Sequence, residues 1–331
     1  MAAFQNQEAL EQELRCAKWR CSKELPFSTL ELSIAFPGLL AKPVRLLECV
    51  DGAQADEIFH ELGEEDSHGA KVWPLAYICA LALLDLGVEG RSVLELGCGC
   101  GLVSIAARQA GAAVIVATDR SVPNLQLVSA SAELLESDAR FATELFDVSS
   151  DLPLMRRGQA RCGNGRVGPY TATCAAWLPA CFDYLVFSDV LYEPGSARMF
   201  GARTAQALAA GSTVVIADAM REWACFETGL RSEARRLEMV LPDVVPKRVV
   251  IPDAVFEWCC KETAEVSEVC DSWLLILPPP ASAHTQSAAA IPTHIKQYID
   301  ADFGFLSSKR RRVSDVRNDK AEGIDECVHE E

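Results

Sequence analysis

The sequence predicts an α/β fold with a doubly wound, mostly parallel sheet and helices on both faces. Two observations support this prediction. Short β-branched segments alternate with helical ones from Ser92 to Leu277, and a glycine-rich turn directly follows the first of these segments. The chain has 331 residues, of which 50% are hydrophobic, so it can bury the core of one or two domains. Ligands of such sheets bind at the carboxyl ends of the strands, which makes the residues after each strand the first candidates for function.

The elements follow one another in a regular order. Val72–Leu84 is apolar on nearly all sides, carries Pro74 in its first turn and is followed by Gly87, which predicts a buried helix. The predicted strands of the sheet are Ser92–Leu96, Ala113–Thr118, Ala142–Phe146, Tyr184–Ser188, Thr213–Ala217, Arg248–Ile251 and Trp273–Leu277. The predicted helices between them are Leu102–Ala110, Pro123–Leu135, Ser196–Ala209 and Arg221–Glu238.

Three segments lie outside this alternation. Residues 1–68 have a charged helical start and two strand-like patches, and we expect them to cover one edge of the core sheet. Residues 69–278 form the main domain, which an Arg/Gly-rich insertion interrupts at 149–180. Residues 279–331 begin with a Pro/Ala/Ser-rich stretch and end in charged residues, so we expect a disordered tail.

Composition excludes several classes of partner. Lysine and arginine total 31 against 47 acidic residues, a formal net charge of −16, which disfavours binding to nucleic acid. The 14 cysteines have no metal-ligand spacing, so we expect reduced thiols in an intracellular protein and no metal site. Apolar stretches are too short to span a membrane. We expect a cytoplasmic monomer, and the basic cluster Lys309–Arg312 leaves import into the nucleus open.

The glycine-rich turn carries the strongest functional signal. Glu95, Gly97, Gly99 and Gly101 form the pattern E-x-G-x-G-x-G between a strand and a helix. Glycines allow a sharp turn and a close approach of the backbone to a ligand. A dinucleotide-binding loop has its third glycine one residue later, where this chain has Leu102, so the spacing favours S-adenosylmethionine (SAM) over a nicotinamide cofactor. A turn that serves folding alone is the alternative.

Acidic residues follow the next two strands. Asp119 lies where a carboxylate can accept hydrogen bonds from both hydroxyls of a ribose, although it could also cap the following helix together with Ser121. Asp147 follows the third strand and could accept a hydrogen bond from an adenine amino group, or could be an ordinary turn residue. Both are predicted to contact the cofactor.

The fourth strand ends in the segment SDVLYEP, which is predicted to face the reactive end of the cofactor. Asp189 can hold an incoming nitrogen and Tyr192 can wall its channel, and Ser188 ends the strand beside the cofactor. Trp73, before the first helix of the sheet, can shield the cofactor site. The alternatives are a capping aspartate and aromatic residues that belong to the core.

With these residues in place, the chain resembles the lysine-methyltransferase-like family, methyltransferase family 16, of class I SAM-dependent enzymes. The resemblance lies in three segments between Gly69 and Glu193: KVWPLAYICALALL, VLELGCGCGLVSIAARQAGAAVIVATD and FDYLVFSDVLYEP. It implies a Rossmann-like methyltransferase fold with seven strands, the last of them antiparallel, and SAM as the methyl donor. One departure is Val148, which stands where family members commonly have a tryptophan that stacks on adenine.

The resemblance also implies an activity and the residues that perform it. Trp73, the loop glycines, Asp119 and the region of Asp147 are implied to contact SAM. Asp189 and Tyr192 match the family's Asp-x-x-Tyr motif, which borders the target side chain. We therefore predict a protein N-methyltransferase that acts on lysine. The alternatives are an arginine methyltransferase of the histone type, a methyltransferase of small molecules or nucleic acid, and a non-catalytic SAM-binding module.

Overall fold

The structure is a computed structural model that describes residues 18–20, 25, 28–50, 52–61, 67–135, 139–150, 181–252, 255, 272–280 and 293–299. The strands are β1 (Lys18–Arg20), β2 (Thr29–Ile34), β3 (Val44–Cys49), β4 (Ser92–Leu96), β5 (Val114–Asp119), β6 (Arg140–Leu145), β7 (Tyr184–Ser188), β8 (Thr213–Asp218), β9 (Lys247–Val249) and β10 (Ser272–Leu277). The helices are α1 (Gly52–Glu61), α2 (Pro74–Leu86), α3 (Leu102–Gln109), α4 (Val122–Ala132), α5 (Pro194–Ala209) and α6 (Trp223–Arg236).

The centre of the molecule is a seven-stranded sheet in the order β6-β5-β4-β7-β8-β10-β9. Strands β4 to β8 run parallel to one another, whereas β10 runs antiparallel to both β8 and β9. The strand order reverses between β4 and β7, which lie side by side, so the carboxyl ends of β4, β5 and β7 meet at the switch point. The predicted doubly wound sheet with an antiparallel last strand, the fold of class I methyltransferases, is confirmed.

Alternation along the strands divides the core into two layers. Val93 and Ile115 face a cluster that contains the buried sides of α2, α3 and α4, whereas Leu94 and Val116 face a cluster with α5 and α6. Successive strand residues therefore bury opposite faces, as a sheet covered by helices on both sides requires. In the described part of the chain, no helix combines the length and the apolar character that a membrane crossing needs.

The first 68 residues contribute a small antiparallel sheet in the order β1-β2-β3. Its strands β2 and β3 coincide with the two strand-like patches of the sequence, Leu30–Ile34 and Val44–Val50. Its described strand β3 packs on helices α3 and α4, and the backbone amide of Leu47 donates to Ser131 Oγ at 2.8 Å. None of the three described strands pairs with the core sheet. The apolar residues of β3 thereby cover the outer side of that helical layer.

Two predicted segments are described in small part. Most of the 149–180 insertion and the basic cluster 309–312 lie outside the described residues. Within the segment predicted as a tail, residues 293–299 include a short 3-10 helix, Ile295–Tyr298, that packs against the core. The amide of Ile295 donates to Asp85 Oδ2 at 2.9 Å, and Ile295 is fully buried. This contact joins residues 210 positions apart, which local sequence patterns do not reveal.

Candidate active site

A cavity of about 580 Å³ lies at the switch point, where β4, β5 and β7 end. Its volume is within the usual range for a small-molecule site. Eight of the ten predicted site residues line it, namely Trp73, Gly97, Gly99, Asp119, Asp147, Ser188, Asp189 and Tyr192. The structure therefore brings together residues from five separate segments of the chain, although Glu95 and Gly101 lie outside the lining.

The loop after β4 depends on glycine for its conformation. Gly97, Gly99 and Gly101 all have positive φ angles, of 65°, 53° and 84°. A Cβ atom on Gly99 would lie 2.9 Å from the carbonyl oxygen of Gly69, which also lines the cavity. Any other residue at position 99 would thus be strained and would push the opposite wall of the cavity.

Glu95 and Gly101 support the glycine loop through contacts with the start of α3 and with α4. The Glu95 carboxylate accepts hydrogen bonds from the backbone amide of Ser104, at 2.9 Å, and from the Ser104 hydroxyl. Burial raises the pKa of Glu95 to about 8. Gly101 begins α3, where a Cβ atom would press on the side chain of Val128. Both residues hold α3 against the sheet, and neither reaches the cavity directly.

Asp119 ends β5 and carries a buried carboxylate on the cavity wall. It accepts hydrogen bonds from the amides of Gly99 and Ser121, each at 2.9 Å, and from Asn124 Nδ2 at 3.3 Å. Burial raises the pKa of Asp119, and these bonds oppose the shift. The carboxylate thus ties the glycine loop to the start of α4.

Two buried polar atoms beside Asp119 have no partner in the described part of the chain. They are Ser121 Oγ and Asn124 Oδ1, and both residues line the cavity. A buried polar atom is costly unless it is hydrogen-bonded, so this wall fits a ligand that carries several hydroxyl groups. The ribose of SAM, implied by the sequence, meets that requirement. Sequence reasoning placed Ser121 as a helix cap and overlooked Asn124.

The adjacent wall follows β6. The Asp147 side chain is exposed and accepts a hydrogen bond from the amide of Ser149 at 2.8 Å, which is the geometry of a turn aspartate. Phe146 and Val148 line the cavity on the same segment, so apolar side chains face the region predicted for adenine. Arg203, a buried residue of α5, holds this segment because its Nε donates to the Val148 carbonyl at 3.1 Å and its guanidinium lies 5.3 Å from the Phe146 ring.

The segment after β7 forms the opposite wall. Asp189 has a φ of 51°, unusual for a residue other than glycine, and its amide donates to the Ala217 carbonyl at 3.0 Å. One of its carboxylate oxygens, Oδ1, accepts a hydrogen bond from Arg221 at 2.9 Å. Burial raises the pKa of Asp189, whereas the positive charge of Arg221 and that of His68 lower it. Tyr192 follows at the mouth of the cavity with 41% of its surface exposed.

Asp218, at the end of β8, holds that wall in place. Its Oδ2 accepts hydrogen bonds from the amides of Val190, at 2.7 Å, and Leu191, at 3.0 Å, and its Oδ1 accepts one from the amide of Met220. Burial and the nearby charge of Asp189 raise the pKa of Asp218 to about 6. Sequence reasoning missed this residue, although an acidic residue directly after a predicted strand is the signal that identified Asp119.

Trp73 lies across the mouth of the cavity. Its Nε1 donates to the carbonyl of His68 at 2.8 Å, and the two rings stack with their centroids 6.0 Å apart. Trp73 is 37% exposed, so one edge of its ring faces solvent. His68 is exposed and also lines the cavity. The stacked pair is thus a partly exposed part of the cavity lining.

Comparison with known proteins agrees with this geometry. Residues 54–152 match the model of a family described as lysine methyltransferase. The matched range includes the glycine loop, Asp119 and Asp147, and it ends before Asp189. The predicted resemblance to methyltransferase family 16 is confirmed over this part of the chain.

Curated relatives match over short segments. The electron transfer flavoprotein beta subunit lysine methyltransferase of Danio rerio is 46% identical over 56 residues, which cover 16% of this chain and 22% of that protein. The ribosomal protein L11 methyltransferase of Methylobacillus flagellatus is 35% identical over 80 residues, which cover 24% of this chain and 25% of that protein. The chain thus spans about a quarter of the length of the curated relatives it matches.

Solved structures are similar at low sequence identity. A TehB-like SAM-dependent methyltransferase from Corynebacterium glutamicum is 12% identical, with 70% of this chain and 100% of that chain covered and a TM-score of 0.38. Because this score is low, the fold assignment rests on the strand order and strand directions. The strand order and the cavity at the switch point are those predicted for a class I methyltransferase, and residues 54–152 are similar to the lysine methyltransferase family.

Proposed function

We propose that this protein transfers a methyl group from SAM to the side-chain nitrogen of a lysine in a protein substrate. The observation that carries the proposal is the arrangement of residues around the cavity at the switch point. The glycine loop and Asp119 form one wall, Asp189 forms the opposite wall, and the exposed Tyr192 stands at the mouth. A long, thin side chain can enter through such a mouth while the rest of its protein stays outside.

Methyl transfer depends more on the alignment of the methyl donor with the acceptor nitrogen than on acid–base catalysis. When bound, SAM would supply a methyl group on a positively charged sulfur. A neutral nitrogen would attack the methyl carbon in line with the carbon–sulfur bond, which breaks and releases the sulfur as a neutral thioether. The loop at Gly97 and Gly99, with Asp119, Ser121 and Asn124, would hold the cofactor. Holding the two reactants in attack geometry supplies most of the rate gain in such a transfer.

Asp189 and Tyr192 would act on the incoming nitrogen. The Asp189 carboxylate accepts a hydrogen bond from the amine and thereby orients the nitrogen lone pair toward the methyl group. The Tyr192 ring walls the channel, excludes water and attracts cationic groups through its face. An in-line displacement requires the nitrogen on the side of the methyl carbon opposite the sulfur, so the groups that hold the nitrogen must face the cofactor loop across the cavity.

The names of the relatives support a protein substrate. The family model is described as lysine methyltransferase, and two of the similar proteins are named as methyltransferases of an electron transfer flavoprotein subunit and of a ribosomal protein. The acidic chain, with a net charge of −16, also suits a basic protein partner.

Labelled SAM tests the proposal directly. A proteome extract is incubated with labelled SAM and wild type, Asp189→Ala or the control Glu227→Ala, which removes an exposed carboxylate on α6. We expect label in a discrete protein band with wild type and with the control, none with Asp189→Ala, and methyl-lysine on hydrolysis of the band. Methyl-arginine in the band would contradict the lysine target. Binding of SAM by calorimetry without transfer to any protein would contradict the enzymatic activity.

A further inference from the structure

We propose that Arg221 is a positioning residue of the methyl-acceptor site, which fixes the Asp189 carboxylate through Oδ1 and leaves Oδ2 for the incoming nitrogen. The inference rests on the proposed function, since it assigns a role in holding the acceptor. Neither the glycine loop nor the Asp-x-x-Tyr motif contains Arg221, which lies in the turn between β8 and α6.

The position of Arg221 suits this role. Its guanidinium lies 2.9 Å from Asp189 Oδ1, and its central carbon lies 5.9 Å from the centroid of the Tyr192 ring. Asp189 and Tyr192 line the cavity, whereas Arg221 does not. The guanidinium therefore contacts both acceptor-side residues from outside the cavity and leaves the channel open to a substrate.

The backbone around Arg221 is held firmly. Asp189 and Met220 both adopt left-handed conformations, with φ of 51° and 53°, which cost energy for residues other than glycine. The carboxylate of Asp218 binds the amides of Val190 and Met220, the residues that follow Asp189 and precede Arg221. One buried side chain thus sets the distance between the two turns, so the ion pair is a consequence of the fold.

Charge gives the pair a function. The groups that face Asp189 are Arg221 in the turn after β8, His68 in the 3-10 helix His68–Ala70, and Asp218 at the end of β8. The Asp189 side chain is 13% exposed, and burial favours its protonated form. Arg221 opposes this effect and so favours the ionised carboxylate, the form that accepts a hydrogen bond best. Removing Arg221 should therefore raise the pKa of Asp189.

The test compares Arg221→Ala and Arg221→Lys with the control Arg231→Ala, which removes another exposed arginine of an ion pair, on α6. Carbon-13 NMR of labelled aspartate follows the Asp189 carboxyl against pH, with Asp189→Asn used to assign the signal. We expect Arg221→Ala to raise the pKa of Asp189 by about one unit and Arg221→Lys to restore most of the shift. In methylation assays at pH values below the pKa of Asp189 in both wild type and Arg221→Ala, kcat should fall about tenfold in the variant, because about tenfold fewer molecules carry an ionised Asp189. The affinity for SAM should be unchanged.

The outcomes separate the two proposals. A pKa of Asp189 that moves no further in Arg221→Ala than in Arg231→Ala, in an enzyme that methylates protein, would overturn the role of Arg221. A wild type that methylates no protein would overturn the proposed function, and the NMR titration would still measure the coupling because it needs no substrate. Circular dichroism checks folding, and Arg221→Lys keeps the test decisive if the alanine variant fails to fold.

Discussion

The cavity has a cofactor wall, formed by the glycine loop and Asp119, and an acceptor wall, formed by Asp189 and Tyr192. Both walls contain residues with positive φ, which are stabilised in different ways. On the cofactor wall the left-handed residues are glycines, and the carboxylate that ties the loop together, Asp119, binds groups at most 20 positions away. On the acceptor wall the left-handed residues are Asp189 and Met220, and the carboxylate that holds them, Asp218, binds amides 27 and 28 positions away.

This difference separates two ways to stabilise a strained turn. Glycine adopts positive φ without a steric cost, so the cofactor wall needs no compensating contact. A residue with a side chain costs about 1–3 kcal/mol in that conformation, and the hydrogen bonds to Asp218 offset the cost. Because the turn residues of the acceptor wall are not glycines, they carry side chains, and one of these is the carboxylate of Asp189. The following predictions test this comparison, from the largest expected effect to the smallest.

Among the variants that test the comparison of the two walls, Asp218→Asn should give the largest effect, a slower methyl transfer. An amide has one acceptor oxygen, so at least one of the amides of Val190, Leu191 and Met220 loses its partner in a buried site. We expect kcat to fall about 100-fold, equivalent to about 2.7 kcal/mol, because the turn that presents Asp189 relaxes. Binding of SAM, measured by calorimetry, should change less than about threefold. Asp243→Asn, the same change on an exposed loop, serves as the control, and equal losses in both variants would contradict the prediction.

Gly99→Ala should weaken cofactor binding. Its Cβ atom would meet the Gly69 carbonyl oxygen at 2.9 Å and displace the opposite wall of the cavity. We expect the Kd for SAM to rise at least about tenfold, which corresponds to about 1.4 kcal/mol. Gly90→Ala is the matched control, because Gly90 also has a positive φ, of 70°, but a Cβ there meets nothing within 4 Å. Equal affinity of the two variants for SAM would show that the close approach to Gly69 has no role.

Glu95→Gln should change the pH dependence of stability by a smaller amount. The folded state raises the pKa of Glu95 from 4.5 to about 8, so its contribution to stability is fully present below about pH 4.5 and is lost as the pH rises through about 8. Glutamine keeps an acceptor for the Ser104 amide and does not titrate. We expect the free energy of unfolding of the variant, relative to wild type, to be higher at about pH 9 than at about pH 5.

Chemical denaturation at the two pH values measures this difference. A relative stability that is equal at both would show that Glu95 keeps its ordinary pKa in the folded protein. The buried Asp119 provides a second reading, since Asp119→Asn should show a difference of the same sign over a lower pH range, starting from the ordinary pKa of 3.8.

The fold was predictable because its signals are local. The alternation of strands and helices predicted the sheet, and β4 and β7 begin and end where the sequence places them. The glycine spacing predicted where the cavity lies. Residues directly after the strands, such as Asp119 and Asp189, line the cavity because parallel strands deliver their carboxyl ends to one edge.

The rest of the site depends on which strands become neighbours. Asp218 and Arg221 act on Asp189 because β8 pairs with β7, and Arg203 holds the segment after β6 from a helix more than 50 positions away. Asn124 donates to Asp119 Oδ1, and its own Oδ1 has no partner among the described residues. The contacts of Arg203 and Arg221 join distant parts of the chain and leave no periodic pattern in one sequence, so sequence reasoning missed these two residues.

The central claim is that one wall binds the cofactor and the other presents the acceptor. The most direct test measures SAM affinity by calorimetry and methyl transfer to protein for wild type and Asp189→Asn. We predict that Asp189→Asn binds SAM within about twofold of wild type while its transfer rate falls at least about 100-fold. A loss of SAM affinity as large as the loss of transfer would place Asp189 in the cofactor site and contradict the division between the two walls.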